Sequence, residues 1–115
     1  MKHLDSQEQF EALWFQKDDE TLLEGMRSSD KGWIVYFTAS WCGPCQRLDV
    51  AKLDAEATKK GLTLWKCDVS KNEYTPGYCG IRSIPTFVFF RPSSMGTPFS
   101  SSDTSDVQAW MLSLP

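Results

Sequence analysis

Histidine is nearly missing from this chain of 115 residues; the one copy is His3 in the N-terminal segment. A cysteine–histidine hydrolytic pair therefore has little support, and His3 reads as a solvent-exposed side chain. Excess positive charge is missing too: 12 Lys and Arg stand against 15 Asp and Glu, a formal charge of -3. Nucleic acid and anionic membrane both call for clustered basic residues, so proteins or small molecules are the expected partners. The sequence has no apolar run long enough to span a membrane, and Met1 through Gln7 turns polar at once, unlike a secretory signal. A soluble chain in a reducing, cytoplasmic compartment is the resulting expectation. Four cysteines are too few for a disulfide scaffold.

What is present fits one core. With 41% hydrophobic and 13% aromatic residues, residues 1–115 read as a single domain. Ser6 followed by Gln9 forms a capping box ahead of Phe10, Leu13 and Trp14 at helical spacing, so a helix is expected from about residue 7, with Leu4 ending a short edge strand. The charged stretch Lys17 to Glu20 interrupts that stripe before Leu22, Leu23 and Met26, which fits one long helix or two short ones. Trp33 to Phe37 is a continuous β-branched and aromatic run, the pattern of a central strand covered on both faces, and residues 33–38 should be buried.

Leu48, Ala51 and Ala55 on one stripe, and Val50, Leu53 and Ala57 on its neighbour, predict a helix from about Gly43 to Lys60, closed by Gly61. Leu62 to Val69, Thr86 to Arg91 and Thr97 to Ser100 read as further strands, the last two joined by a turn through Pro92 and Gly96. Val107, Trp110, Met111 and Leu114 mark a closing helix. This order predicts an α/β fold with a central mixed β-sheet flanked by helices.

Chemistry concentrates in Cys42-Gly43-Pro44-Cys45. If Cys42 caps a helix and Cys45 lies in its first turn, the side chains are close enough for a reversible disulfide. The free N–H groups there favour an anion, so Cys42 should be the thiolate nucleophile and Cys45, shielded by the helix, the resolving thiol. Pro44 suits a first turn and stiffens the loop. Zinc is the competing reading, with Cys67 and Cys79 as further ligands, but that second pair is separated by eleven residues and has no knuckle of its own. No metal is expected.

Tyr36 through Cys45, with its Trp-Cys-Gly-Pro-Cys string, and Ile84-Pro85-Thr86-Phe87-Val88-Phe89-Phe90 resemble thioredoxins over nearly the whole chain, apart from an apparent insertion around Lys17 to Asp30. The resemblance implies a thioredoxin fold, a cis Ile84–Pro85 bond facing the cysteines, and a substrate strand pairing with the backbone before Pro85. It adds Trp41, Ile84 and Pro85 to the site. It also implies protein-disulfide reduction with no bound cofactor, electrons arriving from NADPH through a separate thioredoxin reductase, and a monomer acting on target proteins.

The departures carry information. The buried Asp that thioredoxins usually place six residues before the first cysteine is Tyr36 here, and the Lys usual on the adjacent strand matches Leu64. With the usual proton acceptor gone, resolution by Cys45 is expected to be slower. Val50 replaces a helix-kinking proline, which predicts a straighter helix, and Ser101 takes the place of a glycine near the substrate groove. Tyr36 and Ala39-Ser40-Trp41 are also similar to tryparedoxins and nucleoredoxins, whose motif is Trp-Cys-Pro-Pro-Cys; Gly43 favours thioredoxin. The alternatives are a tryparedoxin-like electron carrier and a redox-tuned binding subunit with little turnover. Cys67 and Cys79 read as small buried hydrophobes, with a regulatory thiol as the sharper reading of Cys79.

Overall fold

The apolar run Trp33 to Thr38 forms strand β2, buried along its whole length. A computed structural model describes residues 1–15, 32–91 and 94–115 of the chain. Charged and polar side chains have been kept out of the first five positions of β2, and the strand is accordingly central: β3 (Thr63–Asp68) pairs with it in parallel on one side and β4 (Thr86–Arg91) antiparallel on the other. The short β1 (Lys2–His3) adds to β3 in parallel, which gives the mixed sheet expected. Two short stretches, β5 (Ser94–Met95) and β6 (Phe99–Ser100), both pair with β4. The expected single strand over 97–100 is thus shorter and preceded by another. Pro98 offers no N–H to continue the ladder, and the Gly96 N–H bonds to the Phe89 carbonyl at 2.8 Å between the two stretches.

Alternation along the strands divides the core. On one face Trp33, Val35 and Phe37 meet Trp65, Cys67, Val88 and Phe90, covered by Leu4, Phe10, Leu13 and Cys79. On the other, Ile34, Tyr36, Leu64 and Phe87 meet Leu53, Ala57, Val107 and Met111. Burying each Val, Leu, Ile, Phe or Met among them contributes roughly 1.5 to 3 kcal/mol. Helix α1 (Gln7–Phe15) begins where the capping box places it. The Gln9 N–H donates to Ser6 Oγ at 3.2 Å, and Gln9 Oε1 accepts from the Asp5 N–H at 2.6 Å, one residue ahead of the usual partner. Whether the stripe beyond it makes one helix or two, the insertion around 17–30, and the turn at Pro92 all lie outside the described residues.

The predicted helix from Gly43 to Lys60 is two elements. A 3-10 turn spans Pro44–Arg47, the chain becomes extended at Leu48 (ψ 136°), and α2 runs Val50–Lys59. Asp49 is the reason for the restart: its Oδ1 accepts from the Lys52 N–H at 3.1 Å, a good N-cap in the middle of what reads as one stripe. Val50, Leu53 and Ala57 pack inward, whereas Ala51 and Ala55 are exposed. The straighter helix expected with Val50 in place of a kinking proline is thus not found, because the stretch breaks at Leu48, ahead of Val50. A further helix, α3 (Tyr74–Cys79), lies where the sequence pattern predicts none. Pro76 sits in its first turn, where no intrahelical bond is lost, and Gly80 ends it at φ 69°. The closing helix α4 (Thr104–Leu112) is capped by Asp103, and Leu114 packs against the core just past its end.

Candidate active site

Strand β2 ends at Thr38, and the chain turns at once through Ala39 to Cys42, whose N–H donates to the Ala39 carbonyl at 3.1 Å. Cys42 and Cys45 form a disulfide with Cα atoms 5.3 Å apart. Gly43 is the N-cap of the 3-10 turn and Pro44 its first residue, so proline's missing N–H costs nothing there. The expected long helix behind Cys42 is replaced by a single turn, and the anion-favouring feature is local: the Cys45 N–H points at Cys42 Sγ, 3.2 Å away. A hydrogen bond to the charged form of a group favours that form, so on reduction this N–H favours a thiolate on Cys42.

Cys45 is shielded as expected, but so is Cys42, and burial does not separate the two. Cys42 is 4% exposed and Cys45 3%, and with Ala39 they form a small cluster against Val69 and Ile84. What differs is their surroundings. In front lies a groove of about 300 Å³ lined by Trp41, Val69, Ile81 and Ile84, with Glu73 and Arg82 adding charge. Trp41 is 70% exposed there, a large apolar surface left uncovered. Ile84 thus joins the cysteines and the groove. The Ile84–Pro85 peptide is cis, as the resemblance implies, and Pro85 itself is buried. Behind Cys45 lies a second cavity of about 150 Å³, lined by Tyr36, Thr38, Lys66 and Asp68 as well as Cys45 itself.

The strand register corrects one assignment. Tyr36 pairs with Lys66, and Thr38 with Asp68, so the lysine of the adjacent strand is Lys66 and not replaced by Leu64, which pairs with Ile34. Alternation along β3 does not separate the two, since Leu64 and Lys66 share a face; the register does. Tyr36 stacks on Phe87 at 4.8 Å and donates a long hydrogen bond, 3.5 Å, to the Cys45 carbonyl, which also accepts from the Leu48 N–H. Burial pushes the Tyr36 phenol above its usual range, partly offset by a hydrogen bond with Thr38. Tyr36 is therefore a protonated donor and no substitute for the carboxylate. Asp68 is held below the usual carboxylate range, chiefly by the Ser70 hydroxyl, with the Lys71 and Lys66 charges adding to it.

Cys67 and Cys79 lie in the core under the other sheet face. Burial pushes Cys67 up to about 12, reinforced by charge on Cys79, Asp68 and Asp5, and burial alone pushes Cys79 up to about 12. Both are thus protonated thiols at neutral pH, which suits small core residues. Among the described residues, no group of three or more His, Cys, Asp or Glu could hold a metal ion, and no helix is long and apolar enough to cross a membrane. Ser101, at the position of the family's glycine, accepts from the Asp103 N–H at 3.1 Å and donates to Asp106 at 3.1 Å, steadying the start of α4.

Comparison with known proteins agrees with this geometry. The thioredoxin family model matches residues 14–113. A thioredoxin of Mycoplasmoides gallisepticum is 40% identical over 74 residues, 64% of this chain and 73% of its own length. One from Geodia cydonium is 36% identical over 64 residues, 56% of this chain, and the match spans 60% of that relative's length. In three dimensions the thioredoxin of Malassezia sympodialis superposes with a TM-score of 0.77 at 25% identity, covering 98% of this chain and 91% of the other.

Proposed function

Since the chain belongs to the thioredoxin family, whose chemistry is dithiol–disulfide exchange, we propose that it reduces disulfides in target proteins through Cys42 and Cys45. The observation that carries the reading is the Cys45 N–H aimed at Cys42 Sγ, which ranks two cysteines that burial does not. The Cys42 thiolate attacks a target disulfide, one target sulfur leaves as thiolate, and a mixed disulfide remains on Cys42. Cys45 then attacks Cys42 Sγ, closes the Cys42–Cys45 bridge and releases the second target thiolate. The target gains two electrons and the cysteine pair loses them.

Trp41, Gly43 and Pro44 present the pair, while Ile84 and Pro85 offer the edge against which an extended target segment lies. Electrons return from NADPH through a separate reductase, without a cofactor bound to this chain. A monomer in the cytoplasm, serving electron transport to target proteins, fits the formal charge of -3 and the length of 115 residues. The buried, protonated state of Cys79 weighs against a regulatory thiol there unless α3 opens.

The test is reduction of insulin disulfides with a thioredoxin reductase and NADPH supplied. Sustained turnover that vanishes in Cys42→Ser is expected. No turnover, together with tight partner binding by the Cys42→Ser, Cys45→Ser double variant, would instead make the domain a redox-tuned binding subunit.

A further inference from the structure

Resolution requires Cys45 to lose a proton, and the acceptor must lie on Cys45's side of the disulfide. The cavity behind Cys45, about 150 Å³, is wide enough for water. Tyr36 on its wall is a donor to the Cys45 carbonyl, and Lys66 beside it is a cation. Among the residues lining that cavity, Asp68 is the one carboxylate. The β2–β3 register puts it opposite Thr38, two residues beyond Tyr36 and on the same sheet face. Ser70 holds the carboxylate in place through its N–H, 2.9 Å, and its hydroxyl, both donating to Oδ1.

We propose that Asp68 is the proton acceptor for Cys45 during resolution, taking the proton through water in the cavity between them. The idea rests on the disulfide-exchange reading above. In the step, the Cys45 S–H bond breaks as its proton passes to water and the water's proton passes to the Asp68 carboxylate. The Cys45 sulfur forms a bond to Cys42 Sγ, the bond from Cys42 to the target sulfur breaks, and the departing target thiolate is protonated by solvent. Asp68 later returns its proton to bulk water. Because the carboxylate is a weak base, transfer accompanies attack, and its contribution falls at or below the low end of the 10² to 10⁴ range of general-base catalysis. Attack by Cys42 does not use Asp68.

Single-turnover stopped flow on the reduced protein with a model disulfide separates the two steps. Asp68→Asn keeps an acceptor for Ser70 and preserves the fold. Resolution in D68N is expected to slow by about tenfold, with attack unchanged. Added formate should recover part of the loss in D68N and leave the parent unaffected, a response that a merely structural role would not give. Tyr36→Phe should resolve within about twofold of the parent, because a phenol held protonated by burial is no base for the Cys45 proton. Parent-like resolution in D68N, equal slowing of both steps, or slowing in Y36F to match D68N would each overturn the assignment. A parent that forms no mixed disulfide on Cys42 would overturn the exchange reading itself, and this inference with it, an outcome distinct from all the others.

Discussion

Two pairs of cysteines flank one small sheet, and they differ in almost everything except residue type. Cys42 and Cys45 follow the end of β2, bridged to each other, with a backbone N–H on one sulfur, an apolar groove in front and a polar cavity behind. Cys67 and Cys79 lie across the sheet among Phe10, Leu13, Trp33 and Phe90, free but buried, their thiols pushed up to about 12. Both pairs are shielded from water, so burial alone does not decide reactivity. What decides it is whether burial comes with a donor for the anion and a route for the proton.

Alkylation offers the largest way to break that contrast. A thiol with a value of about 12 is only about 10⁻⁵ thiolate at neutral pH. In the reduced, folded protein iodoacetamide should therefore modify Cys42 at least about a thousandfold faster than Cys67 or Cys79. Peptide mapping after timed quenching checks this, and comparable rates at all three would erase the distinction.

Alkali sharpens it through stability. A thiol raised in the native state keeps a proton there that the unfolded chain releases above its ordinary value near 8.5. The stabilisation is thus complete below that value and is lost as pH rises towards about 12. Between about pH 8 and about pH 10 each core thiol should remove up to roughly 2 kcal/mol. Urea titrations of the oxidised protein should show this fall, and Cys67→Ala or Cys79→Ala should each flatten it. An unchanged slope in both variants would mean that neither thiol is held protonated by the fold.

The smallest effect concerns Gly43, on the reactive side. It has φ −59° and ψ −52°, and an added Cβ would meet nothing within 4 Å. Gly43→Ala should then stabilise by about 0.4 to 1 kcal/mol, through the unfolded chain, and leave alkylation of Cys42 unaltered. Denaturation midpoints check it. A loss of stability would indicate a constraint on the loop beyond its backbone shape.

Much of the reactive region is legible in the sequence because its signals are local. A run such as Trp33 to Phe37 has only one comfortable place in a sheet, and Cys-Gly-Pro-Cys joins a tight turn to two reactive groups. The missed features depend on how elements meet. Pro76 and Gly77 look like helix breakers, yet the first turn of α3 tolerates both. Asp49 looks like one more polar residue on a stripe, but it caps a new helix once Leu48 is drawn into the core. The Tyr36–Lys66 pairing and the cavity with Asp68 follow from the β2–β3 register, which no window along a single strand reveals.

The central claim is the order of events at the disulfide, Cys42 first and Cys45 second, and trapping tests it most directly. Reduced Cys45→Ser and Cys42→Ser proteins are each mixed with a symmetric peptide dimer joined by one disulfide, quenched in acid and weighed by intact mass spectrometry. The account predicts a lasting adduct of half the dimer on Cys42 in Cys45→Ser, and little or none in Cys42→Ser. A stable adduct on Cys45 in Cys42→Ser, formed as fast as the other, would contradict it.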